Sequence, residues 1–200
     1  MEPAKIQFSP AEMELMNNAN IILTKNKVQE KIRLLFEEAQ LEMLSFRSTD
    51  PLFKLPPKIS RGENYSGLPY MVLDYPRSFS GQEIGLFRSM FWWGNFFSST
   101  LHLSGSVKNK YVVLIQTRHG DLADAGYYIG INADPWQHHF GNDNYRLIKD
   151  VSKQDFVDYC QRLSHLKIAA QWPLNGQNPG VNETLKHWYF FLHLTGLIAS

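Results

Sequence analysis

Between residues 28 and 46 the apolar side chains Val28, Ile32, Leu35, Ala39, Met43 and Phe46 recur every three or four positions, with Gln29, Glu30, Arg33, Glu37 and Gln40 between them. That spacing predicts an amphipathic helix over Lys27–Phe46 with a solvated outer face. An earlier helix is expected from Pro10. Ser9-Pro10-Ala11-Glu12 is a capping box, in which the serine oxygen and the glutamate carboxylate each satisfy an orphan amide. Residues 48–69 then hold four of the ten prolines and two glycines, which predicts a long irregular loop.

The period changes after residue 70. Tyr70–Tyr75 reads as a strand ended by Pro76, which has no amide to give a ladder. Ser80-Gly81-Gln82-Glu83 suits a helix start with Ile84, Phe87 and Phe91 at helical spacing. The aromatic density and Gly94-Asn95 instead favour a hairpin of Leu86–Trp93 and Phe96–Leu103. A two-residue turn sets Trp93 opposite Phe96, Phe91 opposite Ser98, Ser89 opposite Thr100 and Phe87 opposite His102, all on one face. The other face, Leu86, Arg88, Met90 and Trp92 beside Phe97, Ser99, Leu101 and Leu103, is greasier and is expected to be the main core. Arg88 is its misfit.

Downstream, Val107, Tyr111, Leu114 and Ile115 predict a helix after Gly105, and Gly126–Asn132 alternates as a strand. Asp134-Pro135 is expected to cap a short turn of helix towards Phe140. Ser152 starts a helix burying Phe156, Cys160 and Leu163, Leu166–Trp172 follows as a strand, and Asn175–Gly180 is a polar loop. The last helix, from Asn182, is apolar nearly all round and must be buried in its own domain or against another subunit. The whole reads as a single α+β domain over residues 1–200, an antiparallel or mixed sheet of three to five strands packed against N-terminal and C-terminal helices.

Composition narrows the partners. Twenty Lys plus Arg against 19 Asp plus Glu give a net charge of +1 with no cationic cluster, which argues against a nucleic-acid backbone as ligand. The most apolar run, Trp188–Ile198, is broken by His193, Thr195 and Gly196 and falls short of the ~20 residues of a membrane span. Met1–Leu15 has no apolar h-region, so a cytoplasmic location is expected. Cys160 stands alone, which excludes an intrachain disulfide and predicts a packed, inert thiol.

No phosphate-binding, dinucleotide, nucleophile-elbow or His-Glu-x-x-His pattern occurs, so no cofactor is expected. Whether a reaction is catalysed stays open, because triads assembled from distant residues leave no local motif. The hairpin face mixes the rings of Phe91 and Trp93 with Ser98, Thr100 and His102, a surface suited to stacking on a planar or sugar-like ligand and bonding its edge. The plainer reading is a second core layer. Arg61 and Arg77, with Asp74 nearby, are candidate anchors for an anionic ligand. Asp74 alternatively pairs with Arg77 or neutralises Arg88. His138 and His139 are candidate metal ligands with His102 and Asp74 or Asp134, although adjacent side chains diverge too far for one ion to take both easily.

The segments Lys58–Tyr70, Pro76-Arg77 and Phe91–Phe97 resemble those of uncharacterised bacterial hypothetical proteins, a likeness that implies no activity and no site residue. Three functions are therefore carried forward. The first is binding of a small anionic or aromatic ligand; the second is self-association into a homo-oligomer through the apolar C-terminal helix; the third is a metal-dependent enzyme.

Overall fold

Ser9 and Glu12 do form the capping box: the Glu12 amide donates to the serine hydroxyl at 3.3 Å and the Ser9 amide to the glutamate carboxylate at 2.6 Å. They open α1 (Pro10–Asn17), followed by α2 (Ala19–Ser45) in a computed structural model that describes residues 6–174 and 180–198. The loop expected at Asn175–Gly180 lies outside the described residues except for Gly180. Asn18 separates the two helices and caps the second by accepting from the Ile21 amide. Only the C-terminal part of α2 reaches the core, through Ile32, Phe36, Ala39 and Met43, and α1 buries nothing.

Four strands follow as a meander: β1 (Lys58–Tyr65), β2 (Leu68–Ser80), β3 (Glu83–Trp92) and β4 (Phe96–Ser104). Then come α3 (Gly105–Thr117), α4 (His119–Asp124), β5 (Tyr128–Gly130), β6 (Tyr145–Leu147), α5 (Lys153–Arg162), β7 (His165–Pro173) and α6 (Val181–Leu194). All seven strands join one antiparallel sheet in the order β1-β2-β3-β4-β7-β5-β6. The fold is α+β as expected, but seven strands replace the predicted three to five.

The extra strands have physical causes. In the stretch read as a loop, all prolines but Pro69 precede residue 58. Ser66 and Gly67, both at positive φ, make the tight turn that folds β1 onto β2. Pro76 does not end β2 either, because a register shift between Asp74 and Arg77 absorbs the missing donor and the strand runs on to Ser80. β6 is only three residues long, too short to show a period. The predicted turn of helix towards Phe140 is absent, since the Asp134 carboxylate caps a single turn through the Trp136 amide at 2.9 Å and goes no further.

The hairpin exists, with its register one residue away from the expected one. Trp92, not Trp93, pairs with Phe96, and Trp93-Gly94-Asn95 form a three-residue loop with Gly94 at φ +70°. A one-residue slip turns one strand over relative to the other. Phe87, Phe91, Phe97, Leu101 and Leu103 therefore share the face that meets α2, α3, α5 and α6, where they join Leu166, Ile168 and Ala170 of β7 in the main core. Phe36 meets Phe97 edge-on at 6.5 Å, and the Trp188 indole donates to the Tyr75 carbonyl at 2.8 Å. Trp188, Phe191, Leu192 and Leu194 are buried, so α6 places much of its apolar side inside its own chain. Cys160 is fully buried, and burial pushes its thiol up to about 12. No described helix is long and apolar enough to cross a membrane.

Candidate functional site

The other face of the sheet carries no helix. It is covered by the segment 131–144 between β5 and β6, and beneath that cover lie polar side chains. Asp74 of β2 pairs in register with Arg88 of β3, Arg88 with Thr100 of β4, His102 of β4 with Lys167 of β7, and Ser104 with His165. Alternation along each strand puts these residues on one side, where Asp74, Thr100, His102, His165 and Lys167 are all buried. Buried polar groups need partners. Arg88 supplies one for Asp74 through two parallel bonds of 2.8 Å, from Nε and Nη2. Its Nη1 lies 3.4 Å from His138 Nε2, and its guanidinium sits 5.8 Å from the Trp136 ring. Lys167 donates to the Gln137 carbonyl and faces the Tyr145 ring at 4.9 Å.

One side chain from β1 ties the cover down. The Tyr65 hydroxyl accepts from the His138 amide at 2.6 Å and the His139 amide at 3.0 Å. Tyr65→Phe is expected to leave the global unfolding midpoint nearly unchanged. The two freed amides should exchange roughly ten- to a hundredfold faster, the equivalent of about 1–3 kcal/mol of local closure. Residue-resolved hydrogen exchange checks this; unaltered protection at both amides would mean that the tyrosine does not hold the segment.

The charges in this layer are set by burial. Burial, reinforced by Lys167, His165 and Arg88, lowers His102 to about 3; burial, reinforced mainly by Lys167, lowers His165 to about 4. His138 is held well below its ordinary value by burial and by Arg88. Burial brings Lys167 down to about 7, with Asp134 opposing the shift and Arg88 adding to it. For Arg88, burial disfavours the charge but the Asp74 carboxylate more than restores it. At neutral pH the imidazoles are thus uncharged, Arg88 is matched by Asp74, and Lys167 stands near the middle of its titration.

Three ring nitrogens remain without a hydrogen bond: His102 Nε2 and both nitrogens of His165. The Asn132 backbone favours a proton on His165 without reaching hydrogen-bond geometry. Both rings line a cleft of about 500 Å³ with Ser104, Trp136, Pro135 and Glu83. The Trp136 indole meets His102 edge-on at 5.2 Å, and His165 does the same from the other side at 5.8 Å. The Glu83 carboxylate is engaged at the start of α3, where it accepts from the Ser106 amide at 2.7 Å and the Val107 amide at 3.4 Å. The arrangement offers neutral imidazoles as donors and acceptors, a lysine close behind them, and an indole wall.

Of the residues singled out from sequence, the sheet brings together Asp74, Ser98, Thr100 and His102. The slipped register sends Phe91 to the opposite face, 5.0 Å from Phe97 in the core, and Trp93 packs on it at 5.3 Å, so neither ring faces the cleft. Arg61 is exposed on the outermost strand, and Arg77 donates to the Pro56 carbonyl at 2.7 Å. His138 Nε2 faces a guanidinium, a poor neighbour for a cation, and His139 Nδ1 accepts from the Gly141 amide. Among the described residues no three His, Cys, Asp or Glu side chains converge as a metal-binding group. Sequence reading passed over Tyr65, Trp136, His165 and Lys167. The last two were within reach: β7 alternates His165, Lys167, Ala169 and Gln171 against Leu166, Ile168, Ala170 and Trp172, a polar face beside an apolar one.

A second polar line, in the helical layer, contrasts with this site. The Tyr127 hydroxyl lies 2.6 Å from His187 Nδ1, and His187 Nε2 lies 3.4 Å from Glu183. Phe190 stacks on Tyr127 at 4.4 Å and Trp172 on His187 at 5.0 Å. A scan against protein-family models finds no match, and a search of curated proteins finds none significantly similar.

Proposed function

We propose that this chain binds a small organic acid in the cleft beside His102 and His165, with the acid group drawn towards Lys167 and the apolar part lying against Trp136. The observation that carries this reading is a cleft of about 500 Å³ lined by His102 and His165, whose rings hold three buried nitrogens without a hydrogen bond. Each such atom costs about 1–3 kcal/mol while unsatisfied, and a ligand that bonds to them recovers that cost. The charge favours an anion through Lys167, since Arg88 is already matched by Asp74 and the Glu83 carboxylate is engaged at the start of α3.

The reading predicts its own pH dependence. Lys167 is faced by His102, His165, His138, Arg88, Asp134 and Tyr145, and of these groups it alone titrates close to neutrality. Acid binding should therefore strengthen as pH falls from 8 to 6 and Lys167 gains its proton. A thermal-shift and calorimetry panel of carboxylates, including benzoate and pyruvate, checks this at both pH values. A saturating ligand is expected to raise the melting temperature by several degrees. His102→Phe should weaken that ligand about tenfold or more. If no carboxylate at millimolar concentration shifts the transition at either pH, the proposal fails.

A further inference from the structure

The N-terminal quarter of the chain is dressed in apolar side chains that the fold does not use. From Ile6 to Lys31 no residue is buried, although Ile6, Phe8, Met13, Leu15, Met16, Ile21, Ile22 and Leu23 all lie there and all are exposed. Ile6 is 85% exposed and Met16 63%. Single exposed apolar residues need no explanation, but eight within 18 positions, six of them on α1 and the start of α2, expose more apolar surface than water favours. At the base of this arm, where α2 reaches the body, a groove of about 620 Å³ is lined by Ile32, Leu34, Leu35 and Val181 between Lys31 and Glu38.

The charge pattern along the arm names the occupant. α1 carries Glu12 and Glu14 and no basic residue, whereas the adjoining turns of α2 carry Lys25, Lys27 and Lys31 against Glu30 alone. One half of the arm is acidic and the other basic, so an antiparallel copy of the same arm matches opposite charges along its length. We propose that the arm pairs with the arm of a second copy of this chain across a twofold axis near Ile21. In that arrangement Glu12 of each copy lies near Lys31 of the other and Glu14 near Lys27, and Phe8 and Ile6 reach towards the groove at Ile32, Leu34 and Leu35. The contact is isologous and closed, the usual symmetry of a homodimer. The surface is separate from the proposed acid-binding cleft and does not depend on it.

The test uses the full chain. Sedimentation of the wild type from about 1 to 100 μM is expected to show a dimer that dissociates on dilution. Ile21→Glu with Leu23→Glu should give a monomer of unchanged melting temperature at high dilution, since both side chains are exposed in the single chain. Glu12→Lys with Glu14→Lys, and separately Lys27→Glu with Lys31→Glu, should each be monomeric, and a mixture of the two should restore the dimer. A wild type that stays monomeric at 100 μM overturns the proposal. So does a dimer indifferent to these charge reversals, or a monomer that instead co-sediments with phosphatidylcholine–phosphatidylserine vesicles.

Discussion

Replacing Arg88 with methionine is expected to lower the unfolding free energy by about 3–5 kcal/mol, a large part of the 5–15 kcal/mol of a typical domain. The loss comes less from the missing attraction than from what is left behind. Asp74 would keep its place between β1 and β3, its side chain only 8% exposed, with neither of its two 2.8 Å donors. Leucine at 74 together with methionine at 88 removes both charges and should recover most of the stability, because a well-packed apolar pair often replaces a buried ion pair without penalty. Urea unfolding of the two single variants and the double variant measures the coupling. A loss below about 1 kcal/mol for the single change would show that water reaches the carboxylate and that the pair behaves as a surface one.

Acid should destabilise the protein well before its carboxylates titrate. His102 is lowered to about 3, His165 and His187 to about 4, and His138 well below its ordinary value, burial being the largest cause in each. Their unfolded-state value is about 6.5. Between pH 6.5 and 4 the unfolded chain therefore binds more protons than the folded one, so the stability these groups confer is complete above 6.5 and is lost as pH falls. At about 1.4 kcal/mol per group per pH unit, His102, His165 and His187 together remove on the order of 6 kcal/mol between pH 6.5 and 5, and His138 acts in the same direction. Lys167, lowered from 10.5 to about 7, extends the same slope upward, so stability should continue to rise from pH 7 to about 9, where ionisation of Cys160 in the unfolded chain opposes it. Melting temperatures by circular dichroism from pH 4 to 9 should climb throughout. A flat profile between pH 7 and 5 would mean that these imidazoles are solvated in the folded state.

The helical layer was the legible part of this chain. Caps at Ser9 and Ser152 and the stripe through Ile32, Ala39 and Met43 are local signals, and local signals survive folding; Phe36, buried where the spacing pointed to Leu35, was missed. The sheet was legible as strands and illegible as a surface. Which face each side chain occupies depends on whether Trp93 belongs to the strand or to the turn, and one residue of ambiguity reversed β4 against β3. His102 and Thr100 lie together on the polar face of the sheet, but the partners assigned to them, Phe91 and Trp93, lie on the far side. Arg88 was recognised as out of place on an apolar face, and the same slip explains it: that face of β3 looks towards Asp74, Thr100 and the covering segment. Tyr65 and Trp136 carried no usable signal, because their roles arise only when segment 131–144 crosses the sheet.

The strand order has a kinetic consequence. β1 to β4 are joined by short turns and can pair while the chain is still searching, whereas β7 reaches β4 only after α3, α4, β5, β6 and α5 have been gathered between them. Closing that long excursion is the slow entropic step in such a topology. His102 and Thr100 are therefore in position early, and His165 and Lys167 arrive late. A chain caught before that docking has half of its cleft, an apolar sheet edge at β4 with no neighbour, and a natural handle for chaperones.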